Sequence, residues 1–325
     1  MAIETGISWT DGTWNPWTGC VEYHEGCANC YARELAKRFG TATWGKAGPR
    51  MISSMSTWSL PRRCQLKAEK SGKPFLLFTA SMADVFENYK GSFVDHKRNA
   101  VDTTMDALRA EVFREIDGCP DVVFQLLTKR HERWLKCWPV VNESLGVKRK
   151  IPNAWVGVSA SSQESYDAIW SDLEFTRDFA GGAFLSLEPL VGEIDLLRPE
   201  GWCGRCKSHV PRERTTALSL CHRCGERVLE RAPVRHCDWV IVGGESGPNA
   251  RVCNERWVRR IVGQCRELGV PCFVKQFGSR PVAGGSHADK TGPMEAIVLR
   301  DKKGGDPAEW PEDLRVQQFP EEWRR

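Results

Sequence analysis

Seven apolar runs, separated by stretches of helical spacing, constrain this chain more than any other feature. The runs are Ile7–Trp9, Pro74–Thr79, Val122–Thr128, Ala154–Ser159, Ala183–Leu187, Trp239–Gly243 and Cys272–Gln276. Between them, helices are predicted over Tyr31–Phe39, His96–Ile116, His131–Trp138, Ser162–Phe179 and Asn254–Leu268. In the first of these, Ala32, Leu35, Ala36 and Phe39 share one face, and Gly40 is the stop signal. Strands that are apolar throughout and alternate with helices belong to a parallel sheet covered by helices. The expected fold class is therefore α/β, and seven repeats suit a partial or closed (β/α) barrel better than an open sheet. The barrel core is expected over residues 1–199 and 237–300. Residues 200–236 break the rhythm as a Cys- and Arg-rich insertion. The tail 301–325 is expected to pack on the barrel through Trp310 and Trp323.

In barrels of this kind function sits where strands end. Polar residues collect there: Ser81 and Asp84, Lys129, Ser159 and Ser161, Glu188, Glu245 and Ser246, Lys275 and Gln276. Each taken singly also reads as a helix cap or turn residue; their recurrence after strand upon strand is what favours a site.

The cysteines narrow the chemistry. There are 14, in two clusters plus singles, and the chain opens on a short polar segment with no apolar run of membrane-spanning length. A cytoplasmic location follows as the expectation, and in that reducing setting clustered thiols hold metal more often than they form disulfides. The net charge of +4 neither demands nor excludes a nucleic-acid partner. The 14 Trp residues suggest flat contact surfaces as well as core.

The first cluster is Cys20, six residues, Cys27, two residues, Cys30. Three thiolates on one loop, the last opening a helix, suit an iron–sulfur cluster with one iron left open. A structural zinc site completed by His24 is an alternative. A fully ligated cluster would need a fourth cysteine, and the position for it carries Ala36. The second cluster is Cys203-x-x-Cys206, fourteen residues, Cys221-x-x-Cys224 followed by Gly225, the pattern of a four-thiolate zinc site, with a second iron–sulfur cluster as the alternative. With so little apolar content, the insertion is expected to fold around its metal. From Cys203 to His236 it carries eight Lys/Arg and three Asp/Glu, which fits either a phosphate grip or a solvated face. The remaining Cys64, Cys119, Cys137, Cys237, Cys253, Cys265 and Cys272 read as small buried residues.

The segment Trp9-Thr10-Asp11-Gly12-Thr13-Trp14-Asn15-Pro16-Trp17-Thr18-Gly19-Cys20 resembles the three-cysteine phage and bacterial proteins of the radical S-adenosylmethionine (SAM) superfamily. Further matches run in order along the chain: Phe78–Phe86, Gln125–Arg130, Trp155–Ser159, Leu187–Leu190, Val240–Gly247 and Phe273–Gly278. The usual superfamily cysteine spacing is three residues and then two, so the loop here is longer.

The resemblance implies a four-iron, four-sulfur cluster on Cys20, Cys27 and Cys30. It implies that SAM binds the open iron, is reductively cleaved, and yields a 5′-deoxyadenosyl radical that takes hydrogen from a substrate. It places Ser81 and Asp84 at the methionine ammonium, and Lys129 at the carboxylate. Ser159 falls at the ribose or carboxylate, Glu188 at a ribose hydroxyl or the substrate, Gly243 and Gly244 beside the adenine with Glu245 next to them. Lys275 and Gln276, with Glu188, are the candidate catalytic contacts. The implied partners are a nucleotide or DNA substrate and an electron donor such as flavodoxin or ferredoxin, in the host cytoplasm if phage-encoded. The implied reaction is phage thymine hypermodification, in which an amino acid joined to the thymine methyl through nitrogen is rejoined through its α-carbon. Repair of a DNA lesion, as by spore photoproduct lyase, is a second reading. A non-enzymatic, metal-stabilised nucleic-acid-binding protein is a third.

Overall fold

The computed structural model describes residues 5–40, 44–142, 146–169, 173, 176–197, 202–203, 205–206, 208–209, 220–221, 223–226, 233–284 and 294–323, with backbone alone for Asn142, Trp202, Ser208 and His209. Most of the insertion, and residues 170–172 and 174–175 of the helix predicted over Ser162–Phe179, lie outside them.

A mixed α/β fold is built on one seven-stranded parallel sheet. Its strands are β1 (Gly12–Trp14), β2 (Phe75–Thr79), β3 (Val122–Thr128), β4 (Ile151–Ser159), β5 (Ala180–Leu187), β6 (Trp239–Gly243) and β7 (Cys272–Gln276), and they pair in chain order. Helices α1 (Tyr31–Phe39), α2 (Leu60–Ser71), α3 (Met105–Asp117), α4 (Gln163–Ala168) and α5 (Glu255–Leu268) fall between them.

The sheet is curled into a half-barrel. In a flat sheet β1 and β6 would stand five strand spacings apart, about 24 Å. Yet Trp9, just before β1, has its ring centroid 6.1 Å from that of Trp239 on β6 and 6.4 Å from that of Phe184 on β5. Leu76, Phe78, Val123, Trp155, Phe184, Trp239, Ile241 and Phe273 fill the concave side as one cluster. Their in-between neighbours, such as Leu77, Phe124, Val156, Leu185 and Val240, face the helices in the larger core.

The tail closes the bottom. Trp323 packs 4.4 Å from Trp155 and 5.1 Å from Trp239, while Phe319 stacks on Trp239 at 5.5 Å. Trp310 is buried against Phe277 and donates its Nε1–H to the Gly304 carbonyl at 3.0 Å.

Several predicted boundaries move. The first strand is Gly12–Trp14 rather than Ile7–Trp9, because Asp11 and Thr10 already bond the Leu76 backbone and steer the chain alongside β2. The helix predicted over His96–Ile116 begins only at Met105. Before it, Asp95 caps the Lys97 and Asn99 amides and closes a hairpin between Phe93–Val94 and Ala100–Val101, and Thr104 then caps the helix. The predicted face of α1 is only half buried: Ala32 and Ala36 are inside, while Leu35 and Phe39 are exposed.

Gly157 makes the concave packing possible. A Cβ there would stand 2.1 Å from the Phe184 ring. Gly157→Val is therefore expected to cost about 1–3 kcal/mol of stability by overpacking, read from urea denaturation with the m-value unchanged.

A cysteine loop across the mouth and a four-cysteine cluster

Toward the strand C-termini the concave face turns from aromatic to polar. Continuing each strand's inward phase, Gln125 follows Val123, Ser159 follows Trp155, Ser186 and Glu188 follow Phe184, and Lys275 follows Phe273. Lys275 Nζ lies 3.0 Å from Glu188 Oε1, and Ser186 Oγ donates to Glu188 Oε2 at 3.4 Å.

Across this mouth lies the loop that carries Cys20, Cys27 and Cys30. At its start, Gly19 has φ +116° and would press a Cβ to 3.0 Å from Arg50 Cδ, so the chain can turn into Cys20 only with glycine there. Arg50, wholly buried, makes paired bonds of 2.8 Å to Glu87, and Glu87 accepts the Val21 amide at 2.9 Å. Arg130, at the end of β3, donates to Asp84 at 2.8 Å, to the Val21 carbonyl at 2.7 Å and to Cys20 Sγ at 3.6 Å. Burial opposes the Arg130 charge, but Asp84, Cys20 and Glu87 outweigh it and raise its pKa. Burial, and then Asp84, push the Cys20 thiol up to about 12.

At the loop's other end, Asn29 donates to Glu245 at 3.0 Å and to the Asn249 carbonyl at 2.8 Å. Arg251 grips Glu245 with bonds of 2.7 and 3.0 Å and donates to the Glu25 carbonyl at 2.9 Å. Glu25 accepts from Ser162 and Ser165 at the start of α4 at 2.7 and 2.8 Å. Gly26 rests on Ser161, whose Oγ a Cβ would meet at 2.3 Å. The loop is thus tied to the segments after β2, β3, β4 and β6.

Several of the strand-end residues expected at a ligand have protein partners of their own. Asp84 is buried and committed to Arg130, to the Thr128 hydroxyl at 2.8 and 2.9 Å and to the Phe86 amide, so it positions Arg130 beside Cys20. Glu245 is likewise committed to Arg251 and Asn29, which hold its carboxyl below the usual range against its burial. Ser81 shares hydrogen bonds with Asn15. Gln276 donates to the Gly244 carbonyl at 2.9 Å and ties β7 to β6. The space left by the missing Cβ atoms of Gly243 and Gly244 is filled by the Glu188 carboxylate and the Phe277 carbonyl, 2.7 and 2.1 Å from where those atoms would stand.

Other groups remain available. Among the described residues, no acid or carbonyl partners the Lys129 ammonium. Among the described residues, the side-chain hydroxyls of Ser159 and Ser161 and both amide atoms of Gln125 are buried without a hydrogen-bond partner, an arrangement that is costly unless something else satisfies them. His24 Nδ1 accepts the Gly26 amide at 2.9 Å, which places the ring proton on Nε2. Burial, and then Lys129, push His24 down to about 4, so the ring is neutral.

Among the described residues, the group of Cys, His, Asp and Glu ligand atoms lying within 4.8 Å of one another is Cys203, Cys206, Cys221 and Cys224; the N-terminal cysteines form no such group, with or without His24.

The four-cysteine cluster could hold a metal ion. Its Cys203–Cys224 and Cys206–Cys221 sulfur pairs are 3.4 and 3.8 Å apart. Sulfur atoms about 2.3 Å from a tetrahedral ion stand about 3.8 Å from one another. Trp202–Cys203 pairs with Ser208–His209 as the first knuckle, and Gly225, at φ +71°, turns the second. Although burial opposes it, the amides of Arg223 and Cys224 draw the Cys221 thiol down to about 7. Of the seven remaining cysteines, all are buried except the half-buried Cys137.

Fold and site define an α/β half-barrel protein with a three-cysteine loop at its mouth and a four-cysteine cluster in an insertion. Residues 4–303 match the family described as a protein of unknown function (DUF5131), and the chain belongs to that family. No curated protein and no solved structure matches the chain. No helix among the described residues is long and apolar enough to cross a membrane.

Removing metal with a strong chelator is expected to open residues 202–226 to protease while the barrel keeps its cooperative unfolding. Cys206→Ser should reproduce this, with the metal-to-protein ratio falling accordingly.

Proposed function

We propose that this protein is a radical SAM enzyme acting on a nucleobase or nucleotide, with an amino-acid-bearing thymidine as the favoured substrate. The observation that carries the reading is the three-cysteine loop tied across the polar end of a parallel half-barrel, where buried hydroxyls and the Lys129 ammonium have no protein partner among the described residues. Cys20, Cys27 and Cys30 would hold the cluster, and the four-cysteine insertion would hold zinc. When bound, the cluster and SAM supply one-electron cleavage and hydrogen abstraction from a substrate.

The chain's own residues set the geometry for that chemistry. Lys129 offers its ammonium to a carboxylate. Ser159 and Ser161 offer buried hydroxyls to a ribose or carboxylate on the same side. Asp84 fixes Arg130, and Arg130 supports the Cys20 sulfur. Glu188 and Lys275 face each other on the far side of the mouth, mostly shielded from water. A zwitterionic amino-acid group suits this pair: its carboxylate meets Lys275 and its amine meets Glu188, so both buried charges stay compensated. The aromatic floor keeps water from the space above it.

Anaerobic reconstitution with iron and sulfide, followed by reduction in the presence of SAM, is expected to yield 5′-deoxyadenosine. Cys27→Ala should abolish the product, and Cys221→Ala should leave it. An intact, reduced cluster that forms no 5′-deoxyadenosine, with or without an amino-acid-modified thymidine nucleotide, would refute the reading.

A further inference from the structure

The helix that leaves Cys30 exposes the large apolar residues of its own apolar face. In α1, Ala32 and Ala36 are buried, whereas Tyr31, Leu35 and Phe39 are 49%, 37% and 66% exposed. These three stand at i, i+4 and i+8 and form one stripe. The Tyr31 hydroxyl is tied to the Ser81 carbonyl at 2.9 Å, so the stripe begins at the mouth with the ring's flank outward. A contiguous apolar stripe framed by charge marks an interaction surface rather than scattered exposure.

Its frame is cationic. Arg38, three residues on from Leu35, is exposed beside the stripe, with its guanidinium 5.7 Å from the centre of the Phe39 ring. Arg98 donates to the Gly40 carbonyl at 2.6 Å, which brings the Lys97–Arg98 turn to the same end. Of the neighbouring acids, Glu22 and Glu34 share Arg33, and Asp95 accepts the Lys97 and Asn99 amides, which leaves Arg38, Lys97 and Arg98 as the cations at the Phe39 end.

We propose that the Tyr31–Leu35–Phe39 stripe is the docking surface for an acidic one-electron carrier protein that reduces the centre held by the adjacent cysteine loop. This inference rests on the function proposed above. An apolar centre with a charged rim is the anatomy of a protein–protein contact, and a basic rim steers an acidic partner. A nucleic acid would call for stacking platforms, and the middle of this stripe is the aliphatic Leu35.

The test compares two reductants on the reconstituted full-length protein with SAM: dithionite, which needs no docking, and reduced flavodoxin, an acidic carrier. Two double variants are used, Arg38→Glu with Lys97→Glu and Leu35→Ser with Phe39→Ser, each checked for wild-type cluster absorbance and melting temperature. Flavodoxin-driven 5′-deoxyadenosine formation is expected to fall at least tenfold in both, with the dithionite-driven rate unchanged. The wild-type flavodoxin rate should also fall as salt rises. Docking here is overturned if dithionite works but flavodoxin does not, or if the variants keep the wild-type flavodoxin rate. It is equally overturned if they lose oligodeoxynucleotide binding or self-association instead. Absence of product with dithionite in the wild type overturns the proposed function, and this inference with it.

Discussion

Arg130 is the contact on which the rest of the site depends. Rooted at the end of a central strand, it reaches Asp84, the Val21 carbonyl and the Cys20 sulfur with one guanidinium. A lysine could not make these divergent bonds from one planar head. Because the Arg130 and Asp84 side chains are only 8% and 6% exposed, loss of either would strand the other's charge. The cysteine loop is therefore fixed to the sheet by electrostatics that tolerate little displacement, and Glu87 with Arg50 repeats the device one step outward.

That fixation has a counterpart on the opposite side of the mouth, where Glu245 and Arg251 hold the Glu25–Asn29 segment. The loop becomes a bridge over the polar end of a curled sheet whose other end is filled with aromatic rings. Stability and chemistry are separated along the strands: the rings and the tail close the bottom, while Ser159, Glu188 and Lys275 are left at the top. The insertion is a separate matter, since its four sulfur atoms lie at the spacing of a single tetrahedral ion.

Much of the scaffold was legible in the sequence. The strands Val122–Thr128, Trp239–Gly243 and Cys272–Gln276 have the limits their apolar runs predict, and α1 ends at Gly40 as its stop signal indicates. The four-cysteine grouping follows from its two knuckles. Less legible was anything decided by side-chain commitment. Asp84 and Glu245 read as ligand-facing carboxylates because they follow strands, yet their partners, Arg130 and Arg251, lie 46 and 6 residues away and carry no spacing signal. Gly243 and Gly244 read as room for a cofactor; side chains there would meet Glu188 and Phe277, packing that no local pattern announces. Arg50, Glu87 and Asn29 were missed altogether because no local pattern marks a residue whose role is to tie a loop down. The exposed Leu35 and Phe39 show the converse failure: helical periodicity locates an apolar face but not what covers it.

In the proposed function, three sulfur ligands leave one iron of a cluster free. Mössbauer spectra of protein reconstituted with iron-57 and sulfide, taken before and after adding SAM, test it most directly. One iron subsite is expected to shift its parameters on addition while the others hold. A cluster whose subsites are all unmoved by SAM, or a single tetrahedral ion on the same three cysteines, would contradict it.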